Sequence, residues 1–234
     1  MKNTSNYFIG AYYLVKLKPI DFGGIKGSKV FTCSRCINDS FFDDWAISWT
    51  TVERESLEDT KLTFNLTDNN IEEIHTWVDK KLDEEKLGWM NTFSDLETLI
   101  EYKESFFSND SDYEILSISF SEEEISQVLE VTKPIEPNTG EVGIYNKLKN
   151  KEKNLGAGSF LGYDIIGIEE GGDFHSFHCN DLVSDLKNKF DLKINEFGLF
   201  EKIENWNEIK EYLKNPMNAE EVPWFYVKVN RIKK

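Results

Sequence analysis

Two short segments of the chain contain the side chains best suited to metal binding or nucleophilic chemistry. The sequence "DFHSFHCND", residues 173–181, includes His175, His178 and Cys179, and "FTCSRC" includes Cys33 and Cys36. They belong to a chain that has only three histidines and three cysteines. Two thiolates and two imidazoles form a closed tetrahedral zinc site, and a C-x-x-C motif commonly supplies its first two ligands. The question is whether the two segments meet on one metal ion.

The backbone conformation of residues 174–179 decides whether one ion can contact every ligand of the second segment. On a helix, His175, His178 and Cys179 would share a face at spacings i, i+3 and i+4. In a strand, the first and last would lie ~13 Å apart, and the middle residue would point to the opposite side. Asn180 is typical of a helix N-cap, which predicts that residues 174–179 are extended.

We therefore expect reduced, metal-free cysteines packed in the core, no cofactor and no catalytic residue. A zinc site remains an alternative, and its ligands would be Cys33, Cys36, His175 and His178. A redox-active C-x-x-C pair is a second alternative, and an enzyme built on Cys33, Cys36, His175 and Cys179 is a third.

The acidic charge of the chain is concentrated in its middle. The formal net charge is −16. Residues 1–38 carry six Lys/Arg against one Asp, net +5; residues 39–130 carry six against twenty-five acids, net −19; residues 131–234 carry fifteen against seventeen, net −2. An acidic field of this size attracts basic macromolecules and repels nucleic acid and anionic lipid. The acidity therefore serves either solubility or docking of a basic protein, and it argues against nucleic-acid binding.

The elements that position these residues belong to an α+β fold. Alternation or β-branched and aromatic composition predicts strands in "YFIGAYYLVKL", "SKVFTC", "WAISWTTVE", "KLTFNL", "YEILSISF", "YDIIGIE" and "PWFYVKVNRI". Helical spacing predicts helices in "DNNIEEIHTWVDKKLDEE", "SDLETLIEYKESFF", "SEEEISQVLE", the segment from Asn180 to Phe190, and "NWNEIKEYLKN". Capping boxes are predicted at Ser94 with Glu97, at Ser121 with Glu124 and at Asn205 with Glu208. We expect a mainly antiparallel sheet with flanking acidic amphipathic helices, and a C-terminal α/β half that ends in a strand.

A segment rich in proline and glycine, "TKPIEPNTGEVG", is the best candidate for a linker. It predicts an acidic α+β region over residues 1–137 and a C-terminal α/β region over 138–234, with one continuous domain as the alternative. No apolar run approaches the ~20 residues that a membrane helix needs. Three cysteines in a chain of this size fit reduced thiols, so we expect a cytoplasmic protein with no membrane contact.

The predicted helix around Trp77 places an apolar stripe on one side and acids on the other. Its apolar stripe consists of Ile71, Ile74, Trp77, Val78 and Leu82. The acids expected to bind a partner are Glu72, Glu73, Asp83, Glu84 and Glu85 on this helix, with Glu122 and Glu123 in the first turn of another.

The C-terminal third resembles small bacterial immunity proteins, the cytosolic partners encoded beside polymorphic or contact-dependent toxins. The resemblance rests on "LGYDIIGIEEGGDFHSFHCNDL" and "LKINEFGLFEKIENWNEI", chiefly on residues 162–164, 175–177 and 195–199. Some of these families carry two C-x-x-C-G motifs, whereas this chain has one C-x-x-C without the glycine, so no metal is implied. The resemblance implies binding without catalysis: the protein occludes the active site of a toxin.

Resemblance and charge together predict a non-catalytic cytoplasmic protein that neutralises a basic protein toxin through an acidic surface. Two alternatives stay open. One is a phage or mobile-element inhibitor of a host defence protein, and the other is the metal- or cysteine-dependent enzyme described above. The oligomeric state does not follow from the sequence.

Overall fold

The computed structural model of the chain describes residues 6–17, 20–22, 25–34, 37, 46–47, 57–88, 92–108, 112–134, 140–153, 158–169, 174–179 and 182–232. The fold is α+β and ends in a strand, as the sequence predicts. The strands are β1 (Tyr7–Val15), β2 (Ile20–Phe22), β3 (Ile25–Ser28), β4 (Ala46–Ile47), β5 (Glu114–Ser121), β6 (Gly158–Ile168), β7 (Phe174–Ser176) and β8 (Trp224–Ile232). The helices are α1 (Leu57–Phe64), α2 (Asp68–Asp83), α3 (Leu96–Phe106), α4 (Ile125–Val131), α5 (Gly140–Lys149), α6 (Val183–Phe190) and α7 (Trp206–Leu213).

Six strands form one antiparallel sheet in the order β4-β1-β5-β8-β6-β7, and β2 and β3 form a separate hairpin. The C-terminal strand lies at the centre of the sheet, because β8 pairs with β5 on one side and with β6 on the other. Strands from both sides of residue 138 are therefore hydrogen-bonded neighbours in one sheet.

Alternation along the strands divides the core between the two faces of the sheet. Leu116, Ile118 and Phe120 of β5 belong to a buried cluster that also contains apolar residues of α4 and α5. Ile115, on the opposite face, packs in a second cluster with α2 and α3. A third cluster joins β6 and β8 to α6 and α7, and Trp224 is one of its buried members.

The helix α2 forms as its apolar spacing predicts. It begins with a capping box: the Thr67 side chain accepts a hydrogen bond from the Asn70 backbone N–H, and the Asn70 side chain accepts one from the Thr67 backbone N–H. None of the helices in the described part of the chain is both long and apolar enough to cross a membrane.

The strand predicted for "KLTFNL" is wrong, because residues 57–64 form the helix α1. Asn65 then adopts a left-handed backbone with φ 53°, and the Leu66 N–H bonds back to the Lys61 carbonyl. This 6→1 bond is a common helix ending. Consequently Leu62 is 82% exposed whereas Leu66 is only 8% exposed, and the two do not share a buried face.

Four smaller predictions also require correction. In "SKVFTC", Ser28 ends β3 and residues 29–33 form no strand, although the Phe31 backbone N–H donates a hydrogen bond to the Phe197 carbonyl. The helix α3 is capped by Asp95, one residue after the predicted Ser94. Ser121 ends β5, and α4 begins after Glu124 without a side-chain cap. Asn205 does precede α7, but its side chain forms no capping hydrogen bond.

Candidate functional site

The solvent-facing side of α2 carries a row of acidic residues. Glu72, Asp79 and Asp83 are exposed and are spaced i, i+7 and i+11, which places them on one helical face. The opposite face is buried through Ile71 and Ile74, among others. We call Glu72, Asp79 and Asp83 the α2 acidic stripe; Asp79 was not among the residues predicted for partner binding, although its helical spacing identifies it.

The lysine on the flank of α2 is engaged by other acids. The Lys81 Nζ lies 2.8 Å from Glu101 Oε2 on α3 and 3.5 Å from Glu84 Oε2. The Trp77 Nε1–H donates to the other Glu101 oxygen at 2.7 Å. The hydrogen bonds from Lys81 and Trp77 hold the pKa of Glu101 below its usual value. Lys81 is therefore engaged by Glu101 and Glu84.

The acidic excess extends over the whole layer formed by α1, α2 and α3. Residues 57–88 and 92–108 together carry thirteen acidic and five basic side chains, a net charge of −8. Within the described part of the chain, neither Glu72, Glu73 nor Asp79 forms an ion pair. The layer therefore carries a net acidic charge and is supported by the core on its inner side.

The structure places all seven predicted partner-binding acids at the surface, but in three separate groups. Glu72 and Glu73 lie in the first turns of α2. Asp83, Glu84 and Glu85 lie at its C-terminal end. Glu122 and Glu123 lie between β5 and α4. Eleven residues of helix separate the first two groups by ~16 Å.

Several of these acids already have partners within the chain. Glu84 lies near Lys80 and Lys81, and Glu85 accepts a hydrogen bond from Asn146 at 2.5 Å. Glu122 accepts from Asn6. The first turns of α2 therefore offer more available acidic charge than the group at its C-terminal end.

The two cysteine-containing segments meet in the core, at a junction built around Asp164. The fully buried Asp164 carboxylate accepts hydrogen bonds from the Cys33 backbone N–H at 2.9 Å and from Ser176 Oγ at 3.0 Å. Burial raises the pKa of Asp164 to about 6. Burial, reinforced by the neighbouring Asp164 carboxylate, also raises the pKa of the Cys33 thiol well above its ordinary value. A buried thiol of this kind is a poor nucleophile.

Residues 177–179 form a turn, so the extended conformation predicted for residues 174–179 holds only for β7. The turn brings Cys179 back, and its Sγ accepts from the Ser176 N–H at 3.3 Å. The same thiol donates to Ser34 Oγ at 2.9 Å, which joins the two segments. No local sequence pattern predicts this contact, because it joins residues 145 positions apart.

His178 and His175 lie in different environments. The His178 Nε2 lies 3.1 Å from the Gly198 carbonyl, and burial lowers the pKa of His178 to about 4. His175 instead lies between Glu169 and Glu220, both exposed. Glu169, His175 and Glu220 offer ligand atoms close enough to share one metal ion. Cys36, the fourth member of the zinc alternative, lies outside the described residues.

Asp164 was not singled out by the sequence, although an acid inside the apolar strand "GYDIIGI" is an unusual pattern. Its role at the junction is structural: it satisfies a backbone N–H and a hydroxyl that would otherwise be buried without partners.

Comparison with known proteins provides no family for this fold: no family model, no curated protein and no solved structure matches the chain.

Proposed function

We propose that the protein is a non-catalytic cytoplasmic binding protein that neutralises a basic protein, and that the α2 acidic stripe is part of the surface that contacts it. The observation that carries this proposal is the exposed row of Glu72, Asp79 and Asp83 on a layer of net charge −8. Its partner is a protein with a basic surface, and the resemblance of the C-terminal third suggests a toxin.

Two features of the surface support docking rather than solubility alone. The stripe lies on a regular helix whose inner face is packed in the core, so the backbone positions of its three acids are fixed relative to one another. Opposite charges across an interface speed association and reject partners of the same sign. A toxin that acts on nucleic acid must itself present a basic surface to phosphate, and that surface would match this stripe.

The buried junction also favours binding over cysteine chemistry. Cys33 is completely buried, and the partly buried Cys179 donates to the buried Ser34. Asp164 is equally inaccessible and is occupied by Cys33 and Ser176. These groups stabilise the contact between two distant segments.

The proposal is tested with two variants of equal charge change. E72K/D79K/D83K reverses the α2 acidic stripe, whereas E196K/E201K/E221K reverses three exposed acids elsewhere in the chain. The partner is the basic protein that the wild-type chain captures from the cells that produce it, and its association rate constant is measured by stopped flow with each purified variant at several salt concentrations.

We expect the stripe variant to associate on the order of tenfold more slowly at low salt, with a weaker salt dependence, because charge steering acts mainly on association. The control variant should change the rate far less. Both should fold, because each surface substitution costs within about 0.5 kcal/mol. If both variants slowed association equally, only the net charge would matter, and if neither did, the stripe would not be a docking surface.

A further inference from the structure

The imidazole of His175 lies between two carboxylates. Its Nδ1 is 2.8 Å from Glu220 Oε2, and its Nε2 is 3.0 Å from Glu169 Oε1. A neutral imidazole has one N–H and one lone pair, so it can donate to only one of these oxygens. Nε2 is buried and forms no hydrogen bond within the described part of the chain. Its lone pair would therefore face a negative carboxylate unless a cation or a proton lies at this position.

The backbone holds these three residues at one corner of the sheet. His175 lies in the edge strand β7, paired with Gly167 of β6, and Glu169 directly follows β6. Glu220 is held from the other side, because its carbonyl accepts a hydrogen bond from the buried Trp224 Nε1–H at 3.2 Å.

The segment that follows Glu220 is also tied to β6. The Ile168 N–H donates to the Pro223 carbonyl at 3.0 Å, which fixes the start of β8 against the end of β6. The three side chains therefore converge at the corner of the sheet where the end of β6, β7 and the segment before β8 meet.

We propose that Glu169, His175 and Glu220 bind a divalent first-row transition-metal ion, with Zn²⁺ as the representative ion. One ligand atom from each residue lies within 4.8 Å of the others. Zinc binds histidine nitrogen and carboxylate oxygen at ~2.0–2.2 Å, which requires ligand atoms roughly 3.3 Å apart. The two carboxylate side chains are 48% and 44% exposed, so they are able to rotate towards the ion while the imidazole stays in place.

The donor set determines the class of ion. An imidazole nitrogen with two carboxylates suits zinc and its first-row neighbours, whereas magnesium and calcium prefer oxygen ligands alone. Three protein ligands also leave a coordination position for water. This set shares only His175 with the zinc alternative drawn from the sequence, and it uses no thiolate.

Metal binding is measured on the full chain after treatment with a chelator, by titration calorimetry with Zn²⁺ at neutral pH. The wild-type protein should bind one equivalent. H175Q and E220Q should each weaken binding at least ~10-fold, since even the loss of an outer partner of a metal ligand costs ~10–100-fold. H75Q is the matched control, because His75 is an exposed histidine on α2 far along the chain from this cluster, and it should bind zinc as the wild type does.

Titration with Co²⁺ separates this cluster from the cysteines. Co²⁺ bound to nitrogen and oxygen ligands shows only weak visible bands, whereas thiolate ligands add intense charge-transfer absorption in the near ultraviolet. We expect the weak bands alone, and we expect E220Q to reduce them.

Three results would overturn the proposal: no stoichiometric binding of Zn²⁺ or Co²⁺, an intense thiolate band, or equal weakening by H75Q and H175Q. The first would show that the three side chains form a hydrogen-bonded cluster and no metal site. If H175Q failed to fold, E169Q and E220Q would decide the matter, because both side chains are about half exposed.

Discussion

The buried pair Asp164 and His178 should impose opposing pH dependences on the stability of this protein. The pKa of Asp164 rises from 3.8 to about 6 on burial, so between these values the folded chain binds more protons than the unfolded chain. Stability from this group is present below pH 3.8 and is lost as the pH rises through about 6. A pKa difference of about two between the folded and the unfolded chain corresponds to about 3 kcal/mol of folding stability.

His178 acts in the opposite direction over the same range. Its pKa falls from 6.5 to about 4, so the folded chain binds fewer protons than the unfolded chain. Stability from His178 is present above pH 6.5 and is lost as the pH falls through about 4, again by about 3 kcal/mol. The two contributions nearly cancel in the wild-type protein.

Single substitutions should expose each contribution. The free energy of unfolding of D164N minus that of the wild type should rise by about 3 kcal/mol from pH 4 to pH 6.5. In D164N only the His178 contribution remains, and it increases with pH. H178Q should show the opposite slope over this range, and the double variant should run parallel to the wild type. Asn and Gln keep hydrogen-bonding groups at both positions, so the slopes, rather than the absolute stabilities, are compared.

The assay is urea denaturation followed by tryptophan fluorescence at a series of pH values. The remaining carboxylates titrate in all four proteins and cancel in the differences. If the free energies of unfolding of D164N and the wild type differed by a constant amount between pH 4 and pH 6.5, the carboxylate of Asp164 would titrate normally and the reasoning would be refuted.

Two further predictions test packing in the acidic layer. A Cβ at Gly143 in α5 would lie 1.8 Å from the Leu87 carbonyl oxygen, so G143A should destabilise the protein in urea denaturation even though alanine favours helices by ~1 kcal/mol; a stabilised variant would show that α5 does not contact this loop. L66A should cost ~2 kcal/mol or more whereas L62A should cost within about 0.5 kcal/mol, because only Leu66 is buried. Equal losses of stability from both substitutions would contradict the helix α1 and favour the strand predicted for "KLTFNL".

The elements with long, regular patterns were predictable from the sequence alone. β1, β5 and β8 carry enough β-branched and aromatic residues to be identified, and α2 repeats its apolar residues over four turns. The acidity of the middle region follows from composition. The strand prediction for "KLTFNL" was wrong because six residues with apolar side chains at every second position also fit a strand. The left-handed backbone of Asn65, which ends α1, produces no comparable sequence pattern.

Tertiary structure decided which groups meet and which charges remain available. Asp164 reaches Cys33 across 131 positions, and Lys81 reaches Glu101 across 20. Such contacts depend on the order of strands in the sheet and on the packing of helices against it, which local periodicity does not encode. The same is true of His175: the sequence grouped it with His178 and Cys179, but the turn after β7 and the pairing of β7 with β6 place it between two glutamates that lie 51 positions apart.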